Sequence, residues 1–274
     1  MTGRLAIIAG AGRFPFHVAE SAKRQGLRVV AVGIHGWVDP GLAAYVDAYE
    51  EVSIGSLRRL LDSLKAHGIT QAIMAGKVTK AVLLEQSSSF DAETRSVLNQ
   101  AQDASVGTLL SAVAARLAQE GIALLDSSTF LQGDLCPVGV LTTRAPSARE
   151  TSDIDLGQRA ARAIANLDIG QTIVVKGRVI VAVEALEGTD AVIHRAHQLA
   201  GSGLVVVKVA ATDHDRRFDL PVIGPETVSV LIEANVSCLA LEAGVTLLLE
   251  RESLLTCMNN ASLCLIGLHL PSVS

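Results

Sequence analysis

An unbroken apolar run, Leu5-Ala6-Ile7-Ile8-Ala9, feeds directly into Gly10-Ala11-Gly12, and that junction constrains the fold more than any other stretch of the chain. A run of this length without alternation is a strand buried on both faces, which is the pattern of a parallel sheet covered by helices. Pro15 suits the first turn of a helix and Gly26 suits the position just past its end. Arg28 to Ile34 then supplies a second strand. The order strand, glycine turn, helix, strand predicts an α/β protein.

The same logic carries along the chain. Leu57, Leu60, Leu61 and Leu64 fall at i, i+3, i+4 and i+7 before Gly68, which predicts an amphipathic helix. Gln71 to Ala75 reads as the third strand, and Ile122 to Leu125 as a further one after a helix ending at Gly121. Residues 87 to 107 are polar and read as a loop with a short helix. The stretch from Gln132 to Pro146 has two glycines, two prolines and little periodicity, so a domain boundary is placed near residue 135. The two expected domains are then 1–135 and 136–274, the second carrying the catalytic aspartate proposed below.

Beyond the boundary, Thr151 or Ser152 is expected to cap a helix reaching Asn166, and Thr172 to Lys176 and Val179 to Glu184 form a hairpin around Gly177-Arg178. Leu204 to Val209 is another buried strand. Pro225 starts a helix, Cys238 to Ala243 and Val245 to Leu249 are strands, and a helix near Glu252 and a strand from Leu263 to Leu268 finish the chain.

Composition narrows the function classes. Of 274 residues, 49% are hydrophobic and only 3% aromatic, so the core is aliphatic. Net charge is -5 with cations scattered rather than striped, which argues against nucleic acid as a partner. No apolar run approaches the roughly 18 residues that span a bilayer. The four cysteines lack metal-site or disulfide spacing, which points to a reducing, cytoplasmic setting.

The densest chemistry lies at Lys208 and at Asp213-His214-Asp215-Arg216-Arg217-Phe218-Asp219, where carboxylates, an imidazole and cations interrupt apolar sequence. A second acidic group is Glu184, Glu187 and Asp190 around Gly188-Thr189. Hard oxygen donors of this kind favour Mg²⁺, with Mn²⁺ as the alternative, over zinc. Lys208, Arg216 and Arg217 are candidates to neutralise an anionic substrate. Gly10, Ala11 and Gly12 offer backbone N–H groups to a nucleotide phosphate, although Pro15 stands where the third fingerprint glycine belongs and no acid follows the second strand. Lys77, at the carboxyl end of the third strand, is a further phosphate candidate. No G-x-S-x-G, Walker A or H-E-x-x-H string is present.

Several strings together carry a resemblance. These are Leu5 to Gly12 with Pro15, Ala75-Gly76-Lys77-Val78, Leu167-Asp168-Ile169-Gly170-Gln171, Val183-Glu184-Ala185-Leu186-Glu187-Gly188-Thr189-Asp190, and Arg217-Phe218-Asp219-Leu220-Pro221-Val222-Ile223-Gly224. In this order they resemble the LpxI family, the UDP-2,3-diacylglucosamine pyrophosphatases of lipid A synthesis. The resemblance implies two α/β domains, the N-terminal one Rossmann-like with a mainly parallel sheet and the C-terminal one with a mixed sheet, and a ligand cleft between them. It implies Mg²⁺-dependent hydrolysis of UDP-2,3-diacylglucosamine to UMP and 2,3-diacylglucosamine 1-phosphate, lipid X.

On the family's R-x-D-x-P string, Asp219 is the expected catalytic aspartate, with Arg217 as its charge partner and Asp215 assisting. Asp219, Asp190 and Glu187 are the expected metal ligands. Gly10, Ala11, Gly12, Lys77, Gln171, Gly188, Thr189, Lys208 and His214 are the expected substrate contacts. Relatives commonly carry K-P-x-Q-D just before that string, whereas this chain has Ala211-Thr212-Asp213-His214-Asp215, so His214 stands in for lost side chains. The diacyl substrate implies contact with the inner-membrane surface without a transmembrane segment, and a homodimer is kept open. A nucleotide-dependent oxidoreductase and a non-catalytic binder of nucleotide sugar or lipid remain the alternatives.

Overall fold

The computed structural model describes residues 3–78, 90–99, 106–218 and 220–270. The chain divides into two compact units, one of Met1–Leu131 with Asp215–Asp219, the other of Gln132–His214 with Leu220–Ser274. Among the described residues no helix is long and apolar enough to cross a membrane.

The first unit is built on β1 (Arg4–Ala9), β2 (Arg28–Ile34), β3 (Ala48–Val52), β4 (Gln71–Ala75) and β5 (Ala123–Leu124), all parallel, in the order β3-β2-β1-β4-β5. That order is the doubly wound arrangement, with the strand order reversing between β1 and β4. Helices α1 (Phe14–Arg24), α2 (Leu57–Ala66), α3 (Ala92–Asn99) and α4 (Val106–Gln119) accompany the sheet. All four leucines of the predicted α2 stripe are buried, in a core shared with Ile8, Val32 and Leu117. β3 was not expected from the sequence. It is an edge strand whose Tyr49, Glu50 and Glu51 remain accessible, so it lacks the apolar run that betrays its neighbours.

The second unit carries a mixed sheet in the order β6-β13-β11-β9-β7-β8. Its strands are β6 (Gly139–Val140), β7 (Thr172–Lys176), β8 (Val179–Val183), β9 (Leu204–Lys208), β11 (Val236–Glu242) and β13 (Cys264–Leu268). β9, β11 and β13 are parallel, while β7 and β6 run antiparallel to their neighbours. Alternate residues build two cores, as the two-residue period of a strand requires. Val205, Val207, Ile173 and Val175 face one way with Ile154 and Ala161 of α5 (Ala148–Asn166). Leu204, Val206 and Val174 face the other way with α6 (Thr189–Ala200), α7 (Pro225–Glu233) and α8 (Arg251–Asn260). β10 (Val222–Ile223) and β12 (Leu247–Leu248) form a separate parallel pair.

Several boundaries differ from the sequence reading. Ser147, not Thr151 or Ser152, caps α5, in a capping box with Glu150 that the proline and alanine around it disguised. Only Leu247 and Leu248 of the Val245 to Leu249 run are strand. The Gly177-Arg178 hairpin is as expected, both residues with positive φ (58° and 63°), and Asp153 of α5 accepts from both turn N–H groups.

Candidate active site

In the first unit, the loops leaving β1 and β4 cross each other at the carboxyl ends of the strands, where doubly wound sheets bind ligands. Gly10 N–H donates to Ala75 O at 2.8 Å, and Ala11 and Lys77 exchange both backbone hydrogen bonds at 2.9 Å. A Cβ on Gly10 would lie 2.8 Å from Lys77 O, and one on Gly76, at φ +96°, would lie 2.7 Å from the carbonyl carbon of Gly10. The glycines are therefore explained by two backbones in contact. The N–H groups of Gly10 and Ala11, offered to a phosphate on sequence grounds, are already engaged; Gly12 turns the chain at φ +89° and Lys77 is exposed.

Beside this crossing lies a cavity of about 220 Å³ whose walls include Ile8, Leu57, Met74, Val78, Leu109 and Phe218. Phe218 belongs to the charged loop, whose residues 215–218 fasten to the turn after β5. Asp126 accepts from Ser128 N–H (2.7 Å) and Ser128 Oγ (2.6 Å) and forms an ion pair with Arg216, whose Nε lies 2.9 Å from its carboxylate, while a terminal nitrogen of Arg216 donates to Ser128 Oγ at 2.7 Å. Ser127 donates its N–H to Arg216 O at 3.0 Å, and its hydroxyl lies 2.8 Å from Met74 O and 3.1 Å from Arg217 O. Asp126, Ser127 and Ser128 were not singled out from sequence; their only signal was a polar turn after a predicted parallel strand.

Arg217 grips Asp215, with contacts of 2.6 to 3.0 Å from Nε and one terminal nitrogen, and its guanidinium sits 4.9 Å over the Phe218 ring. The described partner of Arg217 is thus Asp215. Asp219 lies outside the described residues.

In the second unit, Lys208 at the end of β9 and Glu184 after β8 are both buried. Lys208 Nζ donates to Thr189 Oγ1 at 2.6 Å, and Thr189 Oγ1 donates to Glu184 Oε1 at 2.9 Å. Gln171 N–H donates to Glu184 Oε2 at 3.0 Å, and Thr172 Oγ1 lies 3.3 Å from Thr189 Oγ1. Burial raises the pKa of Glu184, but the Lys208 charge and the hydrogen bonds from Thr172, Gln171 and Thr189 outweigh it and hold the carboxyl below its ordinary value. Gln171, Thr189 and Lys208 are thereby brought together with Glu184, which sequence reading noted without assigning to the site. Gly188, at φ 84°, precedes the first turn of α6 and supplies no side-chain cap.

Of the expected metal ligands, Glu187 and Asp190 lie among the described residues and Asp219 does not. Glu187 is committed to Arg195 at 2.6 Å and to Ala185 N–H at 2.9 Å. Asp190 keeps one buried oxygen without a hydrogen-bond partner, and among the described residues no three His, Cys, Asp or Glu side chains group around a metal position. His214 turns Nδ1 to Ala211 O at 3.0 Å and leaves a buried Nε2 without a partner, and Asp213 is exposed.

Comparison with known proteins bears out the resemblance. A model of the LpxI N-terminal domain matches residues 4–133, and one of the LpxI C-terminal domain matches residues 137–266. The UDP-2,3-diacylglucosamine pyrophosphatase LpxI of Caulobacter vibrioides is 28% identical over 277 residues, covering 96% of this chain and 97% of that protein. Solved structures are distant. A CobK precorrin-6A reductase is 14% identical with TM-score 0.34, covering 100% of this chain and 90% of its own. A partial consensus L-threonine 3-dehydrogenase is 21% identical with TM-score 0.27, covering 44% of this chain, which spans about a third (34%) of that structure. Neither score supports an argument about fold or chemistry. The two domain models, matched in order over nearly the whole sequence, establish that this chain belongs to the LpxI family.

Proposed function

We propose that the chain hydrolyses the diphosphate of UDP-2,3-diacylglucosamine, releasing UMP and 2,3-diacylglucosamine 1-phosphate. The observation that supports this reading beyond family membership is that one turn carries an apolar side chain next to two arginines. Phe218 forms part of the wall of the 220 Å³ cavity, while Arg216 and Arg217 immediately before it carry guanidinium groups held in place by Asp126 and Asp215. A cavity of this size is below the roughly 300 to 1,000 Å³ of sites that enclose a whole small molecule, and it suits an acyl chain. The substrate is amphiphilic in the same sense.

A diphosphate resists attack because its oxygens are anionic, so the enzyme must neutralise them and direct a water. In this reading Asp219 accepts the proton of the attacking water. In the first unit Arg217, held by Asp215, and Lys77 are the groups that offset charge on the substrate; in the second unit they are Lys208 with Thr189, Gly188 and Gln171, and His214. Mg²⁺, with Mn²⁺ as the alternative, remains the proposed cofactor, with Asp219, Asp190 and Glu187 as the residues that would hold it and shield the anionic oxygens. The enzyme works at the cytoplasmic membrane surface, where acyl chains of such a substrate reside. Engagement of the Gly10 and Ala11 N–H groups weighs against a dinucleotide pyrophosphate at the N-terminal turn.

The test is to incubate purified protein with UDP-2,3-diacylglucosamine, with Mg²⁺, Mn²⁺ or chelator, and measure UMP. Release of UMP supports the reading; no UMP under any of these conditions overturns it.

A further inference from the structure

The charged loop follows Ala210, and both backbone groups of that residue are held by one partly buried ion pair. Glu242, the last residue of β11, accepts the Ala210 N–H at 2.9 Å and a terminal nitrogen of Arg162 at 2.7 Å. The other terminal nitrogen of Arg162, from α5, donates to Ala210 O. One α5 turn further on, Asn166 Oδ1 accepts the Thr212 N–H at 2.8 Å, and Val209 N–H donates to Gln171 O at 3.0 Å. The return end of the loop is tied through Pro221 O to Leu247 N–H at 2.8 Å.

Burying an ion pair is weak evidence for stability, because desolvation offsets most of the attraction. Its geometry is more informative. A guanidinium presents two parallel donors in a rigid fork, and here one prong holds the carboxylate while the other holds the carbonyl. The pair therefore fixes one peptide unit at the root of the loop in direction as well as position. Neither residue lies in any of the strings that carry the family resemblance. We propose that Arg162 and Glu242 are positioning residues that set the direction in which the chain leaves Ala210, and with it the path of residues 211–218, so that Arg217 is presented in one geometry. The inference rests on the proposed function for its effect on turnover; its effect on the loop does not.

Trypsin provides a readout independent of activity. It cuts after Arg216 and Arg217, and the carbonyls of both bonds are the ones engaged by Ser127, so cleavage requires the loop to leave its seat. Arg162→Lys keeps the charge but replaces the rigid fork, whose two nitrogens serve Glu242 and Ala210 O separately, with one rotatable ammonium. In this variant, cleavage after Arg216 and Arg217 is expected to rise about five- to ten-fold relative to cuts elsewhere in the chain, as local opening becomes easier. With UDP-2,3-diacylglucosamine, kcat is expected to fall about ten-fold or more with KM within about two-fold, since misplacing a reacting group costs rate rather than affinity. Glu242→Gln, which keeps an acceptor for the Ala210 N–H, is expected to fall between parent and Arg162→Lys in both readouts. It carries the test alone should Arg162→Lys not fold.

Cleavage at the parent's rate, or a rise shared by all tryptic sites, overturns the proposal. So does a rise in KM with kcat unchanged. A parent that releases no UMP overturns the proposed function instead, and the trypsin comparison still decides the role of the pair.

Discussion

The ammonium of Lys208 and the carboxylate of Glu184 are joined through a single hydroxyl: Thr189 Oγ1 accepts from Lys208 at 2.6 Å and donates to Glu184 at 2.9 Å. An ammonium has only donors, so the direction of both bonds is fixed. Thr189→Ser preserves the relay and is expected to retain turnover within about two-fold of the parent, whereas isosteric Thr189→Val strands two buried charged groups at a cost of about 1–3 kcal/mol. KM for the diphosphate substrate, measured alongside thermal stability, checks the expectation. A Val variant with the parent's KM would remove Thr189 and Lys208 from the substrate site.

Asp219→Asn is expected to lower kcat by about 100-fold or more, the usual contribution of a positioned base, while substrate still binds. Single-turnover UMP release together with equilibrium binding of UDP-2,3-diacylglucosamine separates the two effects. Loss of binding with little change in rate would reassign the residue.

Gly76→Ala is expected to cost about 2 kcal/mol or more, because the residue sits at φ +96° and its Cβ would lie 2.7 Å from the Gly10 carbonyl carbon. Gly12→Ala should cost less, since φ is again positive at +89° but no atom lies within 4 Å of its Cβ. Denaturant midpoints rank the two. Equal midpoints would mean that the crossing loops yield easily.

Glu150 accepts from Arg144 and closes the capping box of α5, and its pKa is lowered from 4.5 to about 2, first by Arg144 and against the effect of burial. The folded value lies below the unfolded one, so the contribution is complete above pH 4.5 and is lost as pH falls toward 2. Melting curves of the parent should therefore steepen in their acid dependence across that window, and those of Glu150→Gln should be flatter there. Parallel curves would show that the carboxylate is not coupled to folding.

Filling the cavity tests its role. Val113→Phe is expected to discriminate against long acyl chains, raising KM for the diacyl substrate several-fold. Activity unchanged across acyl lengths would place the chains elsewhere.

Much of the fold was written locally. Leu5 to Ala9 and Leu204 to Val207 lie in strands because no polar side chain interrupts them, and the α2 leucines declare their buried face by spacing alone. The family, too, was legible, because its strings are contiguous. What failed to show were features made by neighbours. β3 is strand through pairing with β2 rather than through its own composition, and Ser147 caps α5 by accepting the Glu150 N–H while the Glu150 carboxylate returns to the Ser147 N–H.

The same division applies to the site. The sequence determined the chemical repertoire, with Lys208, Thr189, Arg216, Arg217 and the surrounding acids all identifiable by type. Only the tertiary structure decided their partners. Gly10 and Gly76 proved to be glycines so that two loops can touch, Arg217 was given to Asp215, and Glu184 was set against Lys208 across a hydroxyl contributed by a helix start. Arg162 and Glu242, 80 positions apart, meet at Ala210. The physical reason is that hydrogen bonds and charge pairs depend on distances of about 3 Å, and residues far apart in sequence reach those distances only once the sheet and its helices have packed.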